Sequence, residues 1–360
     1  MLNWKERSRS TRDQVNDSVD DVKSYLGGIW FSRTVITVVA LYLLATLLIG
    51  WYWSQEPDFF DIEEHTQQAA ESTQRPLVTG YTTVETLKQV ATTLLDKPGG
   101  YIHNDITPPG IWLDNMPAWE YGVLVQVRDL ARALRKDFAR SQSQSTEDPD
   151  LAKAEPRFNF DNKSWMLPAS EDEYRSAIKS LDRYLERLTD PEKTNSQFYT
   201  RADNLNNWLG DVATRLGSTS QRLSASVGKS RLNIDSMADG SADAAGFNAE
   251  LAASQEEIVK TSWFKIDDVF YEARGQAWAL SHFLRAIEID FADVIAKKNA
   301  TISVRQIIRE LESAQDPVWS PMILNGGGYG VLANHSLVMA NYISRANAAI
   351  IELRQLLSQG

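Results

Sequence analysis

Ile266 to Val294 reads IDDVFYEARGQAWALSHFLRAIEIDFADV. Within it Ile266, Phe270, Ala273, Ala277, Leu280, Leu284, Ile287, Phe291 and Val294 recur at alternating spacings of four and three. A period near 3.5 sets these side chains on one stripe of a helix, and a stripe of that kind is best covered by another helix. The spacing predicts a helix over 263–297, about 50 Å long at 1.5 Å per residue.

Working outward, the same signature returns four times. It runs through Leu124, Val127, Ala131, Leu134 and Phe138, and through Tyr174, Ile178, Leu181, Leu185 and Leu188. It runs again through Phe198, Ala202, Leu205, Leu209, Val212 and Leu216, and last through Met339, Ile343, Ala346, Ile350, Leu353 and Leu357. Five stripes in one chain predict an all-α fold, an elongated multi-helix bundle with left-handed packing. Asp190-Pro191 and Asp316-Pro317 mark helix stops, because the residue before Pro avoids the α region. Residues 141–157 and 224–248, rich in Ser, Asp, Gln, Gly or Ala, read as exposed connections. No strand pattern stands out; Ile111-Trp112-Leu113 is too short to form a sheet alone.

Thr34 to Trp53 reads TVITVVALYLLATLLIGWYW, without a charge. Its length matches a hydrocarbon core of roughly 30 Å. Trp30 and Phe31 on one side and Trp51, Tyr52 and Trp53 on the other suit interfacial belts. A cleavable signal would need a shorter apolar run and small residues at its end. Lys5, Arg7, Arg9, Arg12, Lys23 and Arg33 precede the span, whereas no Lys or Arg follows it until Arg75. The positive-inside rule therefore predicts a cytoplasmic N-terminus and a large domain outside, in the periplasm, with the lipid bilayer of a bacterial inner membrane as its first partner. The chain divides into a cytoplasmic arm (1–33), a transmembrane helix (34–53), an acidic stalk (54–82) and an extracytoplasmic helical domain (83–360). In the arm, Val15, Val19, Val22 and Leu26 fall at helical spacing and read as an amphipathic helix on the membrane surface, ahead of a docking helix for a cytoplasmic partner.

The net charge is -11 and there are no cysteines. An acidic chain argues against nucleic acid as partner, because phosphate binding needs a basic surface. The missing cysteines exclude a disulfide framework, a thiolate nucleophile and a Cys-ligated zinc.

No complete catalytic motif is present. Gly228-Lys229-Ser230 resembles the tail of a P-loop, but the required upstream glycine position is Leu223. Gly328, Gly330 and Ala333 satisfy G-x-G-x-x-A without the βαβ unit that gives the pattern its meaning, and no cofactor is expected. Four histidines remain: His65, His103, His282 and His335. His103, in Gly99-Gly100-Tyr101-Ile102-His103-Asn104-Asp105, and His335, after Asn334, each sit beside an Asn near a glycine loop. If the loops 98–110 and 320–336 meet at one end of the bundle, His103, Asp105, Asn334 and His335 are the candidate polar groups of a shared site. The competing reading makes them turn and cap residues. None has the H-E-x-x-H or E-x-x-H spacing of zincin or di-iron chemistry, and no metal is assigned. Trp112, Trp119, Trp165, Trp208, Trp263, Trp278 and Trp319 read mainly as core, with stacking on glycan as the alternative.

Several segments together resemble the uncharacterised Gram-negative inner-membrane proteins grouped as domain of unknown function 2333. They are Pro98-Gly99-Gly100-Tyr101-Ile102-His103-Asn104-Asp105, Trp112-Leu113-Asp114-Asn115-Met116-Pro117 with Trp119-Glu120-Tyr121-Gly122, Pro156-Arg157-Phe158, and Ser320-Pro321 with the glycine loop at 326–330. The resemblance covers nearly the whole chain and implies no activity and no catalytic residue. Two functions are expected: a membrane-anchored envelope scaffold with an envelope protein as partner, or a module acting on envelope glycan or lipid through the 98–121 and 320–336 loops.

Overall fold

The computed structural model describes residues 32–141, 146–192, 195–232, 256–318, 320, 322–326 and 333–359. The chain separates into two units, Met1–Trp53 and Ser54–Gly360. In the first, helix α1 (Ser32–Trp53) is long and apolar enough to cross a membrane. Only 11% of its most apolar stretch is buried, which removes the reading of it as a core helix.

The second unit is an all-α bundle. Its helices are α2 (Ile62–Thr73), α3 (Tyr81–Asp96), α4 (Asn115–Ala133, continued by a π turn at Leu134–Phe138), α5 (Leu151–Phe158), α6 (Ser170–Thr189) and α7 (Ala202–Ser224). They continue with α8 (Ile266–Asp290), α9 (Ala292–Lys297), α10 (Thr301–Ser313) and α11 (His335–Ser358). The stripes predicted from spacing form the core: Leu124, Val127, Leu181, Leu209, Leu280 and Ile343 are all fully buried.

Helix α8 is the axis of the bundle. From Glu272 to Leu284 every residue is buried, polar ones included. This is why its stripe is set among further Ala, Trp and Phe rather than opposite a charged face. The ring of Trp119 lies 5.3 Å from that of Trp278, and Phe138 lies 5.3 Å from Phe291, so α4 runs parallel to α8. The two helices touch through glycine. A Cβ on Gly275 would come within 2.0 Å of the Trp119 carbonyl oxygen, and one on Gly122 within 2.1 Å of that of Glu272.

The other directions follow from polar pairs. Helix α3 starts where the Asp290 carboxylate, at the end of α8, accepts the amides of Gly80 (2.8 Å) and Thr83 (2.7 Å), and it ends beside the start of α4. Helix α7 opposes α4, with Asn207 donating to Asp137 and Arg215 to Asp129. Helix α11 opposes α7, with Ser220 donating to the Ala340 carbonyl and Arg354 to Asn206. Helix α10 opposes α8, with Arg305 on Glu288 and Arg274 on the Ala314 carbonyl. The starts of α4, α6, α8 and α11 therefore share one end, termed here the upper end, which also receives the loops 97–114 and 159–169 and the described residues of 314–334.

Four expectations change. The stretch 141–157, expected as an exposed connection, carries most of α5, with Leu151 and Ala154 buried. The helix expected over 263–297 opens with a separate 3-10 turn (Trp263–Lys265) and breaks at Phe291, whose ring is drawn into the Phe138 and Phe198 cluster. A strand pair occurs where none was expected: Lys229–Leu232 pairs antiparallel with Glu256–Val259, Lys229 opposite Val259. It flanks 233–255, so most of the loose segment 224–248 lies outside the described residues. The segment 54–82, expected as a stalk, is folded along α8. Glu56 pairs with Arg274, Phe60 meets His282, and Ile62, Thr66 and Ala70 of α2 are buried.

Candidate functional site

The loop after α3 is shaped by Gly99 and Gly100, whose φ values of 86° and 71° are ones that side chains rarely adopt. This turn folds Lys97 back beneath the loop. Its ammonium donates to the Gly100 carbonyl (2.5 Å) and meets the Glu120 carboxylate at 2.5 Å. Both side chains are buried, at 1% and 0% exposure. Glu120 also accepts the amides of Ile102 (2.9 Å) and His103 (2.8 Å), so one carboxylate from α4 organises the loop. Burial pushes the Glu120 carboxyl up to about 7, against the pull of Lys97 and the two amides.

His103 is held at both ring nitrogens. Nδ1 lies 2.9 Å from the Pro117 carbonyl oxygen and Nε2 lies 2.7 Å from the Asn162 amide nitrogen. A carbonyl can only accept, so Nδ1 carries the proton, and Nε2 is left to accept from Asn162. The ring is neutral, its pKa lowered chiefly by burial, and it stacks against Tyr121 with centroids 6.1 Å apart. Asn104 donates to the Ser164 carbonyl (2.7 Å) and to Glu171 (2.8 Å), tying the loop to 159–169 and to α6. Asp105 packs over Gly110, where a Cβ would come within 2.1 Å of its carboxylate; burial and then Glu171 raise its pKa.

Asn334 and His335 perform a different task at the same end. Asn334 caps α11, accepting the Leu337 amide at 3.1 Å, while its own amide donates to the Gly326 carbonyl at 2.9 Å. His335 Nδ1 accepts the Leu324 amide at 3.0 Å, and the His335 amide donates back to the Leu324 carbonyl at 2.9 Å. Its ring faces Phe270 at 6.5 Å. The two loops thus come to one end of the bundle. Among the described residues, however, no hydrogen bond or ring contact is shared between the His103 group and the His335 group. Gly327–Gly330, the core of the second glycine loop, lie outside the described residues. Among the described residues no group of three metal-ligating side chains forms.

Sequence reasoning passed over the Lys97–Glu120 pair, although one signal was present. Glu120 stands four residues before Leu124, on the extension of the buried stripe, where a charge must have a partner. Sequence reasoning allowed His282 into the candidate site only if that end of the long helix were shared; His282 is instead fully buried. His282 Nδ1 lies 2.7 Å from the Trp278 carbonyl oxygen, Nε2 accepts the Phe60 amide at 3.4 Å, and the Phe60 ring stacks on it at 4.2 Å. Burial presses its pKa down to about 4.

The fold and its loops define an all-α chain with one helix able to cross a membrane, whose polar residues at the upper end are spent on bracing loops. The chain belongs to an uncharacterised family conserved in bacteria, domain of unknown function 2333, whose model matches residues 24–360. Neither the curated proteins nor the solved structures give a match.

Proposed function

We propose that the chain is a scaffold or interaction protein of the bacterial cell envelope, anchored in the inner membrane by α1 with its helical domain in the periplasm. The observation that carries this reading is how the candidate site residues are used. Of the candidates, His103, Asn334 and His335 turn their polar atoms onto backbone and loop partners, as Glu120 does, and Asp105 packs over Gly110, so they act as braces and caps. A reacting group would instead be directed at a cleft shared with other groups. The cleft of about 510 Å³ along α8, lined by charged residues such as Arg285, Glu288 and Arg305 and by aliphatic ones such as Ile289 and Ile295, contains none of the candidates, and in a smaller cleft of about 160 Å³ His335 stands among Phe270, Met339 and Tyr342 with its Nδ1 already taken by the Leu324 amide. The excess of Lys and Arg before the span supports the orientation.

The reading is tested by complementation of a gene deletion. Folded His103→Gln, Asp105→Asn and His335→Gln variants are expected to restore function fully, and a chain lacking 32–53 to fail. Loss of function in any one of the folded variants would overturn the scaffold reading in favour of site chemistry. For orientation, alkaline phosphatase fused after Gly360 is expected to be active; an inactive fusion with an active cytoplasmic reporter at the same point refutes it.

A further inference from the structure

Nine of the fifteen large apolar side chains that the folded unit leaves exposed among the described residues form one group; the other six, Phe59, Leu77, Ile289, Ile302, Val338 and Ile351, lie outside it. Ile106, Ile111 and Trp112 stand on the loop before α4, Trp165, Met166 and Leu167 on the loop before α6, and Trp263, Phe264 and Met322 beside the start of α8. All nine lie at the upper end. Trp263 is 60% exposed, Phe264 86% and Leu167 87%. The remaining tryptophans described in this unit, Trp119, Trp208 and Trp278, are buried. The loops that carry the exposed groups are tied to one another. Asn104 bonds Ser164 and Glu171, Tyr101 bonds the Asn162 carbonyl, and Asn115 and Trp263 line one small cleft. Single exposed apolar residues are ordinary, but a set on the tips of braced loops at one end is not.

The course of the tether says what this end meets. Glu56 bonds Arg274, Phe60 meets His282, and the chain reaches Asp290 at Gly80, so it travels along α8 away from the upper end. Followed backwards from Glu56, it heads towards that end. Arg274 is eight residues from Ile266, about 12 Å of helix. Three residues, reaching at most about 10 Å, join Glu56 to Trp53, the last residue of the span. Glu56, the anchored start of the tether on the folded unit, thus lies within about 12 Å of helix from the upper end.

We propose that the upper end of the bundle is a membrane-contact surface, with the tips at 106–112, 165–167 and 263–264 seated in the headgroup–acyl boundary of the bilayer that α1 spans. Tryptophan with its wet indole edge, methionine and leucine suit that boundary. Lys163 and Lys265 beside the tips are offset by Asp105, Asp161, Asp267 and Asp268, so apolar insertion rather than net attraction to anionic lipid drives the contact. The covalent tether makes a weak contact sufficient, because it holds the surface at high effective concentration over the lipid. The proposal needs α1 in a bilayer but does not need the scaffold role.

The test uses the full chain in nanodiscs of phosphatidylethanolamine and phosphatidylglycerol. Since the chain has no cysteine, Leu44→Cys, Met166→Cys, Phe264→Cys and Ile302→Cys can each carry a single nitroxide. The ratio of collision with oxygen to collision with an aqueous nickel complex reads depth. Labels at 166 and 264 are expected to show a ratio several-fold above that at 302, on the opposite end, and to approach that at 44, with little dependence on salt. The label at 166 should return to the aqueous ratio when Trp165→Asp and Phe264→Asp are combined. A bilayer-embedded 44 with 166 and 264 as aqueous as 302 overturns the proposal while leaving the anchor intact; an aqueous 44 overturns both. Labels at 166 and 264 shielded from both colliders would mean a protein or glycan covers the surface, which also overturns it.

Discussion

Arg274 and Glu56, 218 positions apart, meet through two charge-assisted hydrogen bonds, Nη2 to Oε2 at 2.7 Å and Nε to Oε1 at 2.8 Å. The same guanidinium donates to the carbonyls of Ala314, Gln315 and Asp316, so one side chain joins the incoming tether, the axial helix and the end of α10. Arg274 is 8% exposed and Glu56 19%. Glu56→Ala leaves a nearly buried cation with carbonyls only, and about 3 kcal/mol of stability should be lost in urea unfolding of residues 54–360. Arg274→Lys should fail to restore the wild-type value, because an ammonium cannot reproduce the fork. Equal stability of Arg274→Lys and wild type would contradict this account.

The Lys97–Glu120 pair should behave as a coupled unit. Glu120→Ala strands a buried ammonium and two loop amides, and should cost about 3–5 kcal/mol. Combining Lys97→Met with Glu120→Gln removes both charges and keeps one acceptor, and should recover more than half of that loss. A double-mutant cycle reports the coupling; additive single effects would mean the pair is not the organiser of the loop.

His282 gives the bundle an acid-sensitive term. Its folded pKa is pressed to about 4, below the ordinary value of 6.5, so between these values the unfolded chain binds a proton that the folded chain refuses. Stability should fall as pH drops from 6.5 towards 4 and the term should be constant below, a loss of about 3 kcal/mol across the window. His282→Gln keeps a donor for the Trp278 carbonyl and an acceptor for the Phe60 amide without titrating. The difference in stability between this variant and wild type, measured from pH 7 to pH 4, should change by that amount; a pH-independent difference would refute the assignment.

Gly275 and Gly122 let α4 and α8 approach backbone to backbone. Gly275→Ala places a methyl 2.0 Å from the Trp119 carbonyl oxygen, a position only helix displacement can relieve. We expect a loss of about 2–3 kcal/mol, seen as a lowered Tm, whereas Gly217→Ala, whose nearest neighbour is the Asn347 amide at 3.4 Å, should be near neutral.

The sequence by itself determined the helices and their buried faces, because a 3.5-residue period is a local property that neighbours on one helix express together. It determined the apolar span in the same way, from one uninterrupted stretch. The resemblance carried by segments such as Trp112–Pro117 led to the family. Only the tertiary structure decided the rest. Glu120 became the organiser of the 98–110 loop because α3 delivers Lys97 to it, and nothing local in either segment names the other. Asn334 and His335 became a cap and a clasp because Leu324 to Gly326 folds back on the start of α11. The supposed stalk became part of the bundle because Arg274, more than two hundred positions on, offers Glu56 a partner. Helix direction, fixed by packing against α8, set which loops share an end and so gathered Trp112, Trp165 and Trp263 on one surface. Pairings of this kind depend on where separate helices come to rest against each other, and that arrangement is written in the packing of the whole core rather than in any one stretch of sequence.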